Sequence, residues 1–164
     1  MDYQKLRREI RMLLYVFVSG LVVSGITAFP IHAELAYAHD LIAHFNMNNS
    51  LSRWIETVYQ GAHEVDKNYP FIAYGTDWLA FAHLVLAVLF AGILKDPVRN
   101  IWVIEFGLIA CAGIVPLALI AGAIRGIPFF WQLIDCSFGL GGGIVLWMCY
   151  TRVKRLSLLP KGVD

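Results

Sequence analysis

Two ionisable side chains fall inside stretches of the sequence that are otherwise apolar enough to lie in lipid. His83 lies within the run from Trp78 to Leu94, and Asp135 lies within the run from Ile127 to Tyr150. A titratable group in hydrocarbon is energetically costly, so it is expected to have a partner or a function there. Imidazole and carboxylate groups both exchange protons and bind polar ligands. The chemistry that these two residues favour is therefore proton transfer or the binding of a small polar ligand.

Both groups are predicted to point into a helical bundle, because each shares a helix face with small or polar residues that favour close helix packing. The neighbours on these faces are Ala80, Ala87 and Ala91 for His83, and Gln132 and Gly139 for Asp135. Each group also lies some six to eight residues inside its run, roughly 9–12 Å at 1.5 Å per residue. We therefore expect His83 and Asp135 to meet at one level, where pairing lowers the cost of burying them.

The predicted site contains further polar residues near the outer ends of the spans. Asp77 and Arg125 would complete a charged cluster just above the central pair. The full predicted ligand-binding set is His83, Asp135, Asp77, Arg125, Gln132 and Trp131. The function that this set favours is an outward-facing intramembrane site that binds or translocates a small ligand or a proton, and no catalytic residue or cofactor is identified. The first alternative is a non-catalytic structural or assembly subunit, in which the same residues only link helices by hydrogen bonds.

A metal- or haem-dependent membrane enzyme is the second alternative, because every histidine is predicted to lie on the outer side of the membrane together with several aspartates. The candidate ligands are His83, His63, His39 and Asp135. No HxxxH, HExxH or CxxC spacing occurs, however, and these are the spacings typical of metal sites. A haem would also need a second axial histidine opposite His83. The predicted metal content is therefore none.

The elements that must position these residues are membrane spans. The chain has 164 residues, of which 59% are hydrophobic and 15% charged, and this composition is too apolar for an ordinary water-soluble domain. Four apolar runs approach the ~20 residues needed to cross a bilayer. They cover residues 13–29, 78–94, 101–124 and 127–150. The predicted fold is an all-α membrane protein, a four transmembrane helix bundle that forms a single membrane domain over residues 1–164.

The connection over residues 31–75 is the only long loop, and it carries two apolar stripes at helical spacing. It is predicted to form two amphipathic helices, which make a short helical extracytoplasmic lid between spans 1 and 2. Ser50 is expected to cap the second of these helices, and Pro70 is expected to end it. Thr76 or Asp77 is expected to cap the following span.

The distribution of basic residues predicts the orientation of the chain. With both termini inside, the inner face holds ten lysines and arginines, and the outer face holds three. This bias predicts cytoplasmic N and C termini. The inner set is Lys5, Arg7, Arg8, Arg11, Lys95, Arg99, Arg152, Lys154, Arg155 and Lys161, and the outer set is Arg53, Lys67 and Arg125. The basic ends are interpreted as topology determinants, so no nucleic acid partner is expected.

Three segments resemble those of a group of small uncharacterised bacterial membrane proteins. They read YGTDWLAFAH, DPVRNIWVIEFG and IRGIPFFWQLIDCSFG, and the similarity spans about Tyr74 to Gly139. The resemblance implies a bacterial cytoplasmic (inner) membrane protein and no particular activity. The expected partners are the lipid bilayer and a small-molecule ligand, with a second copy of the chain or a partner subunit as the remaining candidates.

Overall fold

The computed structural model describes residues 3–159, and all regular secondary structure within that range is helical. Lys161, one of the ten basic residues assigned to the inner face, lies outside the described residues. The helices are α1 (Tyr3–Ala28), α2 (Ile31–His44), α3 (Ser50–Asn68), α4 (Pro70–Gly92), α5 (Ile101–Ile124) and α6 (Phe129–Ser157).

Four of these helices have the length and composition of membrane spans. They are α1, α4, α5 and α6, with 26, 23, 24 and 29 residues. A span of ~20 residues is enough to cross the ~30 Å hydrocarbon core. The predicted all-α fold with four spans is confirmed, as is the pair of short helices between the first two spans. The chain is a multi-pass membrane protein.

The connection between α3 and α4 differs from the prediction in its capping residues. Asn49, not Ser50, is the N-cap of α3, because its side chain accepts a hydrogen bond of 2.8 Å from the backbone N–H of Ser52. The Ser52 hydroxyl accepts one of 2.9 Å from the Asn49 N–H in return, which completes a capping box. Pro70 does not end α3 but begins α4, where a proline fits because the first turn needs no N–H donor.

Thr76 and Asp77 consequently lie inside α4, and the prediction that one of them caps a span is wrong. The Thr76 hydroxyl instead donates a hydrogen bond of 2.6 Å to the carbonyl of Ala73 in its own helix.

The described residues form two compact units, one made of residues 3–20 and 86–159 and the other of residues 21–85. The first unit has an apolar core. Leu6, Ile10 and Leu14 recur at the spacing of one α1 face and are almost fully buried. On α6, the buried residues repeat with similar helical spacing: Leu146, Cys149, Val153 and Leu156.

Glycines let α5 and α6 approach closely inside this first unit. A Cβ atom on Gly139 would lie 2.7 Å from the carbonyl oxygen of Cys111. A Cβ atom on Gly107 would lie 2.6 Å from side-chain atoms of both Leu146 and Phe90. Small residues at such positions permit the close backbone contact by which membrane helices associate.

The second unit contains the α2–α3 hairpin, which polar side chains hold in an antiparallel arrangement. The His39 Nε2 atom lies 2.7 Å from Glu56 Oε2, and the His32 Nε2 atom lies 3.8 Å from Asp66 Oδ1. The Tyr59 ring stacks on His39 with 4.4 Å between ring centroids.

Candidate functional site

His83 lies in α4, and a backbone hydrogen bond fixes its ring. The Nδ1 atom is 2.8 Å from the carbonyl oxygen of Leu79, one turn earlier. A carbonyl oxygen only accepts hydrogen bonds, so Nδ1 carries the proton and donates it. The neutral ring then has its lone pair on Nε2, and within residues 3–159 this atom has no hydrogen-bond partner. His83 is half-buried, and Nε2 can accept a proton whenever the ring is neutral.

Asp77 lies in the same helix and borders an apolar pocket of about 320 Å³. The other residues that line this pocket are aromatic: Phe29, Tyr74, Trp78 and Phe81. Within the described residues the Asp77 carboxylate has no hydrogen bond or ion pair. Asp77 and His83 are six residues apart, so their side chains leave α4 in directions about 120° apart.

Asp135 lies in α6 at the edge of the face that packs within the first unit. Its neighbours Cys136 and Gly139 are buried, whereas Asp135 itself is half-buried. Across residues 3–159, neither a hydrogen bond nor an ion pair reaches its carboxylate. A half-buried carboxylate without a protein donor needs water, a proton or a ligand to offset the loss of hydration.

Gln132 is occupied by a structural contact. It is 5% exposed, and its Nε2 atom donates a hydrogen bond of 2.8 Å to the carbonyl of Ile127 in the α5–α6 turn. A Cβ atom on Gly122 would lie 2.7 Å from Gln132 Cγ, so the amide side chain packs directly against the end of α5. The turn itself contains Gly126 with φ of +69°, a backbone conformation that glycine adopts without strain.

The other two predicted residues lie at the same turn. Arg125 is the C-cap of α5 and is exposed. Trp131 is in the first turn of α6 and is half-buried. Arg125, Trp131, Gln132 and Asp135 therefore belong to the first unit, whereas Asp77 and His83 belong to the second. The pairing of His83 with Asp135 stays a prediction.

Two of the three histidines that were candidates for metal binding, His39 and His63, lie in the α2–α3 hairpin, whereas His83 lies in α4. His39 contacts Glu56, and its Nδ1 atom lies 3.6 Å from Asp40 Oδ1. His63 faces the Tyr59 ring at 6.2 Å between centroids. In the part of the chain that the structure describes, no group of three or more His, Cys, Asp or Glu side chains is arranged to hold a metal ion.

The Glu9–Arg152 ion pair and the histidine–carboxylate contacts of the α2–α3 hairpin were not predicted from the sequence. Glu9 of α1 binds Arg152 of α6 through a hydrogen bond of 2.7 Å from Nε to Oε2, with side chains 25% and 27% exposed. A sequence signal existed for the ion pair: Glu9 is the only acid of α1, and it adjoins the buried Ile10 just as Arg152 adjoins the buried Val153.

Three polar groups in or beside the spans thus have no hydrogen-bond or ion-pair partner among the described residues. They are the Asp135 carboxylate, the Asp77 carboxylate and the His83 Nε2 atom. All three are proton acceptors when the carboxylates are ionised and the imidazole is neutral. No protein-family model, no curated protein and no solved structure matches this chain.

Proposed function

We propose that this is a bacterial inner-membrane protein that binds or translocates a proton or a small polar ligand through Asp135 and His83. The observation that carries the proposal is the Asp135 carboxylate, which lies in a membrane-spanning helix without a hydrogen-bond donor from residues 3–159. Ionisable groups in such positions are typical of ion and substrate pathways.

The contrast with Glu9 supports this interpretation of Asp135. Glu9 is also half-buried, but its charge is neutralised by Arg152 at 2.7 Å. A carboxylate that serves only to hold helices together is expected to show such a partner, because an unpaired charge destabilises the folded state. Asp135 has none among the described residues, which favours a role in binding a proton or a ligand.

The state of His83 supports a role in proton transfer. Because its Nδ1–H bonds to the Leu79 carbonyl, the ring is oriented and Nε2 remains available to accept a proton. An imidazole held in one tautomer by a backbone carbonyl is a common arrangement for histidines that act as bases or ligands.

The test is proton flux into liposomes that contain the purified protein, measured with an internal pH-sensitive dye after a pH jump. Asp135→Asn and His83→Ala are each expected to reduce the flux to the leak rate of protein-free liposomes. Glu105→Gln is the matched control for Asp135, because Glu105 is a half-buried acid in the second turn of span α5. His44→Ala is the matched control for His83, because His44 is exposed and lies outside the spans.

Binding of a small ligand is tested on the same variants by native mass spectrometry of the protein extracted from its membrane. A bound molecule present in wild type and lost in Asp135→Asn would support the ligand form of the proposal. Wild-type flux together with wild-type ligand content in Asp135→Asn would overturn the proposal. A loss of unfolding free energy without any change in flux or ligand would favour the structural alternative.

The double variant tests whether the two residues act together. Where a single variant retains flux above the leak rate, adding the second substitution should not lower that flux further if Asp135 and His83 serve one pathway. Independent, additive effects would instead assign the two side chains to separate processes.

A further inference from the structure

Three arginines cluster on one side of α1, before its apolar part begins. Arg7, Arg8 and Arg11, together with Gln4, line an open space of about 350 Å³ on the surface of this helix. Arg8 and Arg11 are exposed and Arg7 is half-buried.

The positive charge of this cluster is not neutralised by the described protein. Glu9 is the only acid in α1, and its carboxylate is already bound to Arg152. Within residues 3–159, none of the three arginines forms an ion pair with a carboxylate, and Arg7 instead lies 5.9 Å from the centre of the Tyr3 ring. Guanidinium groups brought together in this way repel one another, so an anion bound between them would stabilise the arrangement.

The helix face below the cluster indicates what kind of anion would bind. Met12 and Tyr15 follow Arg8 and Arg11 at the three- and four-residue spacing of one helix face. Both are among the large apolar side chains that remain exposed, at 60% and 57%. The opposite face of the same segment, with Leu6 and Ile10, is buried in the protein. Along one exposed face of α1, three cations are therefore followed by apolar side chains within one or two turns.

We propose that this face binds an anionic glycerophospholipid, with the lipid phosphate between Arg7, Arg8 and Arg11 and the acyl chains along Met12 and Tyr15. The planar guanidinium group donates two parallel hydrogen bonds to a phosphate, which a lysine cannot do. Clusters of basic residues at the membrane surface attract anionic lipids by electrostatics alone. The arginine cluster adds the capacity for bidentate hydrogen bonds to that attraction. The site is independent of Asp135 and His83.

Native mass spectrometry of the full-length protein in detergent tests the site by titration with phosphatidylglycerol and, separately, phosphatidylcholine. Saturable binding of phosphatidylglycerol is expected, and Arg8→Gln/Arg11→Gln should weaken it about tenfold or more, since each basic residue contributes substantially to anionic lipid binding. Lys154→Gln/Arg155→Gln is the matched control, because it removes the same charge from exposed positions on α6. This control should weaken binding less than about threefold, because screening reduces the effect of charges outside the site.

Two further measurements separate a lipid site from simpler explanations. Arg8→Lys/Arg11→Lys preserves the charge and the fold, and it should still weaken binding about threefold because the bidentate geometry is lost. Wild-type affinity in this variant, or equal weakening by the α6 control, would overturn the proposal in favour of net charge alone. Displacement of the lipid by millimolar inorganic phosphate would overturn it in favour of a site for free anions.

Discussion

The α5–α6 pair of the first unit and the α2–α3 hairpin of the second unit are stabilised by different kinds of contact. In the unit of residues 3–20 and 86–159, nearly all buried side chains are apolar, and glycines bring α5 and α6 together. In the unit of residues 21–85, Ala80 is the one buried hydrophobic side chain among the described residues, and the α2–α3 hairpin is joined by histidine and carboxylate groups. Close apolar packing depends on shape, whereas partly exposed ion pairs depend on charge and salt.

This difference matches the solvents in which the two kinds of helix are expected to lie. In lipid there is little hydrophobic driving force between helices, so association relies on close contact of small residues. At a water-exposed surface, charged side chains can pair at little desolvation cost, although each pair then stabilises the structure only weakly. The α5–α6 pair and the α2–α3 hairpin should therefore respond to different perturbations.

The largest effect is expected at Gly139, where any side chain meets the backbone of α5. Gly139→Leu should lower the unfolding free energy by about 3 kcal/mol, the upper end of the range for overpacking, because the Cys111 carbonyl cannot move without displacing its helix. Gly141→Leu is the matched control, since no atom lies within 4 Å of a Cβ there. Unfolding in mixed micelles at increasing SDS measures both, and equal stabilities would contradict the close contact at Gly139.

An intermediate effect is expected for the one ion pair between α1 and α6. Glu9→Gln should destabilise the first unit by about 1.5–3 kcal/mol, because it weakens a charge-assisted hydrogen bond and leaves Arg152 partly buried without its counter-ion. Glu105→Gln is the control, as Glu105 has no ion pair within residues 3–159. A double-mutant cycle of Glu9→Gln with Arg152→Gln isolates the pair, and a coupling energy near zero would show that the pair contributes nothing.

The smallest effect is expected in the α2–α3 hairpin. Glu56→Gln should reduce its local stability by about 0.2–1 kcal/mol, because the His39–Glu56 pair is partly exposed. Glu64→Gln, on the same helix, is the control because Glu64 is exposed and has no ion pair among the described residues. Hydrogen–deuterium exchange of α2 and α3 peptides measures the change.

Added salt tests whether ionic contacts stabilise the hairpin and apolar packing stabilises α5 and α6. With His39 protonated, about 1 M salt, where the screening length is ~3 Å, should bring exchange in the wild-type hairpin close to that of Glu56→Gln, whereas exchange in α5 and α6 should not change. An equal change in exchange in the hairpin and in α5 and α6 would contradict the assignment of ionic contacts to the hairpin and apolar packing to α5 and α6.

Much of the fold follows from local sequence patterns. Uninterrupted apolar length predicted the four spans, and the spacing of apolar residues in 31–75 predicted two helices there. The capping positions were harder to predict. Asn49 and Ser50 are both good cap residues, and only the reciprocal bond between Asn49 and Ser52 decides between them. Pro70 was interpreted as an end to α3 although proline also starts helices, as it does in α4.

The side-chain partners at the predicted site are harder to predict from a single sequence than the helices are. Helical spacing assigns Gln132 and Asp135 to neighbouring positions of α6, but it does not reveal that the Gln132 amide bonds to the Ile127 carbonyl. It also does not reveal the pairing of Glu9 with Arg152, which are far apart in the chain. Long-range side-chain partners depend on which helices pack together and in what register. The local spacing of apolar residues does not determine either.

The turn between α5 and α6 has a consequence for how the protein is made. Gln132 bonds back to Ile127, Gly126 adopts the left-handed conformation, and Gly122 accepts the Gln132 side chain, all within a few residues. Contacts between residues close in sequence form rapidly and with a small loss of chain entropy. The last two spans can therefore pair as a hairpin as soon as both have left the ribosome, and they can enter the bilayer together.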